Sequence, residues 1–268
     1  MDAARRYRAV LFDLFDTLVR FDRERLPRVQ VDGRVVHSTV GRLHDVLRTW
    51  APEITIEALH GALTESWREA ERLRAIDHRE VAAPQRFTYL FQCLDLDARA
   101  CPPDLLTTLI ETHRRELARA VEFPPHHAPL LEDLRARYRL AVVSNFDYTP
   151  TAVGILTAAG IAPLFDVILV SDAVGWRKPA PTIFREALDR MRLGVRDALF
   201  VGDRADIDVA GAAAIDMDVA WLNPSAEPLP PGLVAPTYEL RDLADLRPLL
   251  GVAPARTASE APRNASND

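Results

Sequence analysis

Two aspartates stand three residues apart in an apolar run near the start of the sequence. The run reads VLFDLFDTLV over residues 10–19, with Asp13 and Asp16 as its charged residues and Phe15 between them. A carboxylate in such surroundings is costly unless a cation, a metal ion or a set of N–H donors pairs with it. The plainer interpretation is a strand that ends at Asp13 and a turn that Asp16 caps. This run alone does not decide between the two.

Other short apolar runs also end in polar residues. These residues are Asp13, Ser144 with Asn145, Ser171 with Asp172, and Asp203, to which Asp206 and Asp208 add two more acids. Ligands of open α/β sheets bind beyond the carboxyl ends of the strands, so we expect this set in one crevice. Clustered carboxylates must take up protons or hold a cation, and an all-oxygen set favours Mg²⁺ over zinc. Any one of these acids could be a helix cap or a solvated loop residue, but the whole set favours a site.

The elements that would position these residues form a regular series. The apolar runs that predict parallel strands are Ala9–Asp13, Leu140–Asn145, Val167–Ser171, Leu199–Asp203 and Val219–Leu222. Helical patterns lie between the last four, over Thr149–Ala159, Pro181–Met191 and Ala205–Ile215. This alternation predicts an α/β fold with a doubly wound parallel sheet.

Residues 22–121 break the series and predict an inserted, mainly helical cap. Its helices are expected at Thr39–Trp50, Ile56–Ile76, Pro84–Leu94 and Pro103–Ala120. An Asp-Gly pair within residues 29–36 predicts a short β-hairpin at the start of the cap. The core would then comprise residues 1–21 and 122–251. The Ala-, Pro- and Ser-rich tail, residues 252–268, is predicted to be disordered.

The return to the core passes through a proline-rich segment, residues 123–129. We expect this segment to be a hinge, with His126 and His127 exposed on it and binding no metal.

The composition of the 268 residues excludes several classes of function. A net charge of −6 argues against a nucleic-acid or anionic-membrane surface. No apolar stretch reaches the roughly 18 residues that a membrane span needs. The first residues lack a signal-peptide pattern, so we expect a cytoplasmic protein, without a predicted oligomeric state. Cys93 and Cys101 are too few for a disulfide framework, and we expect both near helix ends.

Four motifs over about residues 8–222 resemble those of the haloacid dehalogenase-like hydrolase superfamily. Residues 13–18, DLFDTL, are similar to the first motif, whose leading Asp is the nucleophile. Ser144, at a strand end, resembles the phosphate-binding hydroxyl of the second. Lys178, the single lysine among 33 basic residues, resembles the phosphate-clamping lysine of the third.

The fourth motif and the insert complete the resemblance. Gly202-Asp203 followed by Asp208 is similar to the motif that supplies metal ligands. The helical insert lies where the superfamily places its C1-type cap, which implies subfamily I.

The resemblance implies hydrolysis of a small phosphorylated metabolite in two steps. Asp13 would attack phosphorus and form an aspartyl-phosphate. Ser144, Asn145 and Lys178 would bind the phosphate oxygens, where charge lies in the transition state.

The implied cofactor is Mg²⁺. Its ligands would be Asp13, Asp203 and the backbone carbonyl of Phe15, with Asp208 orienting them. The ion would reduce the repulsion between the nucleophile and an anionic phosphate.

Phe15 departs from the pattern of the superfamily's phosphatases. Those enzymes have a second Asp at this position, which protonates the leaving group and then activates water. A phenyl ring does neither, although the backbone carbonyl remains. Asp16, one position on, is expected to point elsewhere and not to substitute.

Three functions remain open, with a Mg²⁺-dependent phosphohydrolase of limited activity ranked first. A non-catalytic binding or scaffolding protein ranks second. A C–halogen hydrolase ranks third: the superfamily's dehalogenases carry an aromatic residue here, but they have serines where Asp203 and its neighbours are acidic. A phosphonoacetaldehyde-type hydrolase needs a lysine in the cap and is excluded.

The cap contains several arginines that could attract an anionic substrate: Arg68, Arg72, Arg74, Arg79 and Arg86. Charged residues on long helices usually form solvated faces, so the sequence gives this idea little weight.

Overall fold

The computed structural model describes residues 7–253, and a parallel sheet lies at its centre. The strands are β1 Ala9–Phe12, β2 Arg20–Phe21, β3 Arg28–Val31, β4 Arg34–His37, β5 Val121–Glu122, β6 Arg139–Ser144, β7 Val167–Val170, β8 Ala198–Gly202, β9 Asp218–Leu222 and β10 Tyr238–Leu240. Six of them form one sheet in the order β10-β9-β8-β1-β6-β7, with parallel pairing throughout. The chain winds outward in both directions from β1, which confirms the predicted doubly wound α/β fold.

Ten α-helices accompany these strands in the described residues. They are α1 Val40–Leu47, α2 Ile56–Asp77, α3 Ala83–Cys93, α4 Leu105–Arg119, α5 His127–Arg135, α6 Thr149–Ala158, α7 Ser171–Val174, α8 Pro181–Met191, α9 Ala210–Ala213 and α10 Leu246–Leu250. Helices α1–α4 match the four predicted cap helices to within a few residues. The predicted helix Ala205–Ile215 is a π-helical turn, Ala205–Val209, that leads into α9.

Alternation along β1 explains why both faces of the sheet are covered. Val10 and Phe12 point into one apolar cluster, which α5, α6 and α10 complete. Ala9 and Leu11 point into another, which α8 and α9 complete. Because successive side chains of a strand point to opposite faces, a continuous apolar run serves both clusters. β1 is therefore fixed in position from both sides, together with the residues that follow it.

The cap segment has an apolar cluster of its own, with Leu43, Leu59, Phe87 and Phe91 among its buried members. The two connections between the core and the cap segment lie side by side, since β2 and β5 pair in antiparallel fashion. The predicted hairpin is present as β3 and β4. The division into core, 1–21 with 122–251, and cap, 22–121, stays a prediction. Of the predicted disordered tail, residues 254–268 lie outside the described residues.

The segment after the cap differs from its prediction. Pro124 and Pro125 precede α5, which begins at His127 itself. His127 is buried, and its Nδ1 lies 2.9 Å from the carbonyl oxygen of Leu18. The expectation of an exposed His127 was therefore wrong, whereas His126 is exposed. The two cysteines lie near helix ends, with Cys93 closing α3 and Cys101 preceding α4.

Candidate active site

Adjacent strands bring three carboxylates together at the carboxyl edge of the sheet. Asp13 follows β1 and Asp203 follows β8, which is the neighbour of β1 in the sheet. Asp208 comes from the π-helical turn beyond β8. Each residue offers one carboxylate oxygen, and these atoms all lie within 4.8 Å of one another. The sequence-predicted acids of the first and fourth motifs are therefore neighbours in space.

Gly202 makes room for one of these acids. A Cβ at this position would lie 2.4 Å from the carboxyl carbon of Asp208, far inside contact distance. Asp208 itself is fully buried, and its Oδ2 accepts a hydrogen bond of 3.0 Å from the backbone N–H of Arg204. The glycine of the fourth motif is thus required by the close approach of the Asp208 side chain.

Lys178 lies between two of the carboxylates. Its Nζ is 2.7 Å from Asp13 Oδ1 and 2.8 Å from Asp208 Oδ1. Burial lowers the pKa of this lysine, but Asp13 and Asp208 together outweigh burial and hold the pKa above its usual value. The ammonium is therefore charged and aimed at the nucleophile proposed from the sequence.

The loop that carries Lys178 is held by Asn145. The side-chain amide of Asn145 donates to the carbonyl oxygen of Lys178 at 2.8 Å, and its Oδ1 accepts from the backbone N–H of Lys178 at 2.8 Å. The amide predicted to bind substrate is thus engaged in positioning the lysine. Gly211 also permits this arrangement, because a Cβ there would meet the Cα of Pro179 at 2.9 Å.

Ser144 ends β6, the other neighbour of β1, and is fully buried. Its Oγ has no hydrogen-bond partner among residues 7–253. A buried hydroxyl without a partner is costly, and a ligand oxygen at the sheet edge would satisfy it.

The cluster of three carboxylates, Asp13, Asp203 and Asp208, has less positive charge than negative charge. Burial, together with Asp13 and Asp208, raises the pKa of Asp203 to about 8. Burial also raises the pKa of Asp208 to about 6, although Lys178 opposes this shift. One ammonium among three carboxylates leaves a net negative charge, and the all-oxygen donor set suits Mg²⁺. Both oxygens of Asp208 already have partners, which leaves Asp13 and Asp203 with more capacity to bind an ion.

Phe15 and Asp16 lie beside this group and do not join it. The Phe15 ring is mostly buried and packs against Phe146, with 5.0 Å between ring centroids. Asp16 is exposed, adopts a left-handed backbone conformation with φ 58°, and accepts a 3.2 Å hydrogen bond from the backbone N–H of Phe21. Its charge still reaches Asp203, whose pKa it helps to raise.

Three polar residues of the predicted crevice have other partners. The Ser171 hydroxyl donates to Glu80 of the cap. Asp172 accepts from the backbone N–H and hydroxyl of Thr149, at the start of α6. Asp206 is exposed and pairs with Arg204. The sequence predicts all three at the carboxyl edge of the sheet but does not reveal that their side chains bind these other partners.

A cavity of about 510 Å³ opens beside the site between cap and core. Its core wall includes Phe15 and Asn145, which adjoin the site residues in sequence. Its cap wall includes Arg74 and Arg86. The expectation that these two arginines lie on a solvated face was wrong, because both are buried. The other three predicted cap arginines are exposed, namely Arg68, Arg72 and Arg79.

Two acidic residues that pair with arginines of the cavity wall were not predicted from the sequence. Asp147 pairs with Arg86 and Arg114, and Glu80 pairs with Arg74 and Arg177. The Asn-Phe-Asp sequence directly after β6 was the available signal for Asp147, since it continues a strand end at the ligand-binding edge.

Most of the chain is similar to known hydrolases. Residues 7–216 match the haloacid dehalogenase-like hydrolase family. The HAD-hydrolase YfnB of Bacillus subtilis is 24% identical over 249 residues, which cover 92% of this chain and 97% of YfnB. The glyceraldehyde 3-phosphate phosphatase of Pyrococcus furiosus is 25% identical over 219 residues, 82% of each chain.

Solved structures share the fold. A 2-haloacid dehalogenase from Pseudomonas syringae has a TM-score of 0.66 and 25% identity, over 91% of this chain and 98% of the dehalogenase. Magnesium-bound YfnB has a TM-score of 0.57 and 23% identity, over 92% of this chain and 100% of YfnB. The similar proteins thus include both a phosphatase and a dehalogenase. In the described part of the chain, helices that could cross a bilayer are absent.

Proposed function

This chain belongs to the haloacid dehalogenase-like hydrolases, and from this premise we propose that it is a Mg²⁺-dependent phosphohydrolase. Its substrate is a small phosphorylated metabolite, and the reaction proceeds through an aspartyl-phosphate on Asp13. One observation carries the proposal: Lys178 Nζ contacts Asp13 and Asp208 while Asp203 completes a group of three carboxylates. Such a set of charges suits a phosphoryl group and a divalent cation together.

In the first step a carboxylate oxygen of Asp13 attacks phosphorus. The bond from phosphorus to the ester oxygen breaks, and its electron pair leaves with that oxygen. Lys178 and the unpartnered hydroxyl of Ser144 donate to the non-bridging oxygens, where negative charge lies in the transition state. Lys178 is already charged and needs no change of protonation to do so.

In the second step water attacks phosphorus, and the bond between phosphorus and the Asp13 oxygen breaks. Phosphate leaves, a proton passes to solvent, and the carboxylate is regenerated. The mostly buried ring of Phe15 supplies no proton in either step, so leaving groups that depart as anions react best.

The residues present fit a magnesium ion. Asp13 and Asp203, with the backbone carbonyl of Phe15, would hold it, and Asp208 would orient them through Lys178 and the backbone of Arg204. When bound, Mg²⁺ supplies positive charge that reduces repulsion between Asp13 and an anionic phosphate.

The second candidate is hydrolysis of a carbon–halogen bond. Phe15 and the similarity to a 2-haloacid dehalogenase favour it. The acidic side chains of Asp203 and Asp208 argue against it, because a reaction without a metal gains nothing from two further buried carboxylates beside the nucleophile.

The test is release of phosphate from a panel of phosphate esters, with a 2-haloacid included. We expect phosphate release that requires Mg²⁺, stops in chelator and is lost in Asp13→Asn. Release of halide in the presence of chelator would establish the second candidate instead. A folded parent protein that releases neither product, and binds no beryllofluoride at Asp13, would establish a non-catalytic protein.

A further inference from the structure

The cavity between cap and core is lined by charged side chains that come from separate elements. Arg74 lies on α2, Arg86 on α3 and Arg114 on α4, and all three line the cavity. They are 4%, 2% and 3% exposed. Arg177, in the loop that carries Lys178, lines the same cavity. We call these four residues the arginine cluster.

Acidic residues balance only part of this charge. Asp147 pairs with Arg86, at 3.2 Å, and with Arg114. Glu80 pairs with Arg74 at 2.7 Å and with Arg177 at 2.9 Å. Two buried acids therefore face four cations, with half-exposed Glu71 as a further partner of Arg74.

Burial and the excess of positive charge lower the pKa values of individual arginines. Burial, together with the nearby charge of Arg114, lowers the pKa of Arg86 to about 10. Burial also lowers the pKa of Arg114. Stacking against rings relieves only part of the cost, with Arg114 Cζ 4.8 Å from the centroid of Phe146.

Three guanidinium nitrogens have no hydrogen-bond partner within the part of the chain that the structure describes, and one of them, Nη2 of Arg114, ion-pairs with Asp147. The other two are Nη2 of Arg86 and Nε of Arg114, and both are buried. A structural ion network gains nothing by leaving buried, charged donors unpaired, because each such donor costs the free energy of its lost hydration. An anion between these two groups would satisfy both.

We propose that the arginine cluster, chiefly Arg86 and Arg114, binds a second anionic group of the substrate, a carboxylate or a phosphate. This proposal rests on the proposed function, in which the first phosphate binds at Asp13. The substrate class is then a phosphate ester with an oxyanion at its far end. Guanidinium groups suit either oxyanion, because their N–H donors match the paired oxygens of both.

Aromatic contacts give an upper limit for the distance between Arg114 and the Phe15 ring, and hence a guide to the length of such a substrate. The rings of Phe15 and Phe146 are 5.0 Å apart, and Arg114 Cζ is 4.8 Å from the second ring. Adding these two distances places Arg114 Cζ within about 10 Å of the Phe15 ring. Phe15 is two residues from Asp13, so a phosphate and an anion held on one aromatic ring are a suitable first scale to test.

The experiment compares 4-carboxyphenyl phosphate with 4-carbamoylphenyl phosphate. The two share shape and a good leaving group, and they differ in the charge at the far end. We expect the parent protein to favour the carboxylate by about 10- to 100-fold in kcat/KM, mainly through KM, as hydrogen bonds between charged groups imply. Phenylene 1,4-bisphosphate tests whether a far phosphate is preferred to a far carboxylate.

Arg114→Gln should reduce this preference to within about threefold of unity. Because that change leaves Asp147 with less positive charge, the double variant Arg114→Gln, Asp147→Asn restores the balance and should also lose the preference. Arg68→Gln is the matched control: it removes the same charge from an exposed position of α2, 71% exposed at the side chain, and should keep the preference. Equal hydrolysis of both substrates by the parent protein would overturn the proposal, as would a folded double variant that keeps the preference.

A binding measurement separates this proposal from the proposed function. Calorimetry with the Asp13→Asn variant should show tighter binding of 4-carboxyphenyl phosphate than of 4-carbamoylphenyl phosphate. Adding Arg114→Gln to that variant should abolish the difference in affinity. If no substrate releases phosphate but this difference is present, the proposed function fails and the anion site stands. If phosphate is released but the binding difference is absent, the anion site fails alone.

Discussion

Replacing Phe15 by aspartate would supply the proton donor that the proposed mechanism lacks. General acid–base assistance is worth about 10²- to 10⁴-fold, and it matters most when the leaving group is a poor one. p-Nitrophenolate leaves readily without a proton, whereas an alkyl alkoxide does not. We therefore expect the parent protein to hydrolyse p-nitrophenyl phosphate far better than alkyl phosphates. In Phe15→Asp, alkyl-phosphate turnover should rise by about 10²-fold and p-nitrophenyl turnover should change little.

The structure indicates that this variant will fold. Removing a fully buried Phe costs about 3–5 kcal/mol, so the mostly buried ring of Phe15 is worth roughly 2–4 kcal/mol. Its contact with Phe146, at 5.0 Å, accounts for about 1 kcal/mol of that. A loss of this size is tolerable for a domain with a free energy of unfolding of about 5–15 kcal/mol. A thermal melt measures the loss before any rate is compared.

Phe15→Asn is the matched control, because it removes the ring and adds a side chain of the same shape without an acid. It should melt near Phe15→Asp and gain no alkyl-phosphate activity. If the two variants show equal rates, or if the parent protein already hydrolyses alkyl phosphates briskly, another residue supplies the proton. Asp16 is then the first candidate, and our account of Phe15 is wrong.

Further predictions concern the metal, the nucleophile and a buried histidine. Mg²⁺ should raise the free energy of unfolding by about 1.4 kcal/mol at ten times its Kd, and Asp203→Asn should remove most of this gain in a thermal-shift titration. Asp13→Asn should abolish both phosphate release and beryllofluoride binding, whereas Asp16→Asn should keep a measurable rate; equal losses would place Asp16 in the reaction. Burial holds the pKa of His113 well below its usual value, so the unfolded chain binds the extra proton as pH falls below about 6.5. Relative to His113→Gln, the parent protein should therefore lose up to about 1.4 kcal/mol of stability per pH unit below that point, and a constant difference in melting from pH 7.5 to 5.5 would contradict this.

The sheet and its carboxylates were predictable because the relevant information is local. Each strand of the centre is a short apolar run, and the acids at Asp13 and Asp203 follow directly where two such runs end. Parallel strands place these ends at one edge, so sequence order alone brings the two residues together. Asp208 was predictable for the same reason, since it lies five residues after Asp203 on the turn that returns to the sheet.

Residues buried by distant partners were not predictable in this way. Arg74 and Arg72 look alike on α2, yet Arg72 is exposed and pairs with Glu69 while Arg74 is buried against Glu80. What distinguishes them is Glu80, which lies beyond the end of α2 in an irregular segment. Helical periodicity identifies a face but does not reveal which acid will cover it.

The start of α5 illustrates a different error. The prolines at 124, 125 and 129 predict a hinge, yet the last of them lies in the first turn of the helix. Proline is tolerated there because the first N–H groups of a helix have no partner within it. His127 then points inward to the carbonyl oxygen of Leu18, a contact between residues that are 109 positions apart in sequence.

Main-chain hydrogen bonds join the cap segment after α2 to the loop that carries Lys178. The cap segment after α2 pairs with the loop that carries Lys178, since Glu80 donates its N–H to Gly175 at 3.0 Å and Arg177 donates its N–H to His78 at 2.9 Å. Glu80 also accepts from Arg177, the residue directly before Lys178. Arg177 of the arginine cluster and the neighbouring Lys178 are therefore held against the segment after α2 by hydrogen bonds between main chains as well as by side chains. Because main-chain pairing does not adjust to a ligand as a long side chain does, the site should discriminate more sharply by the length of its substrate than by the kind of oxyanion at its far end.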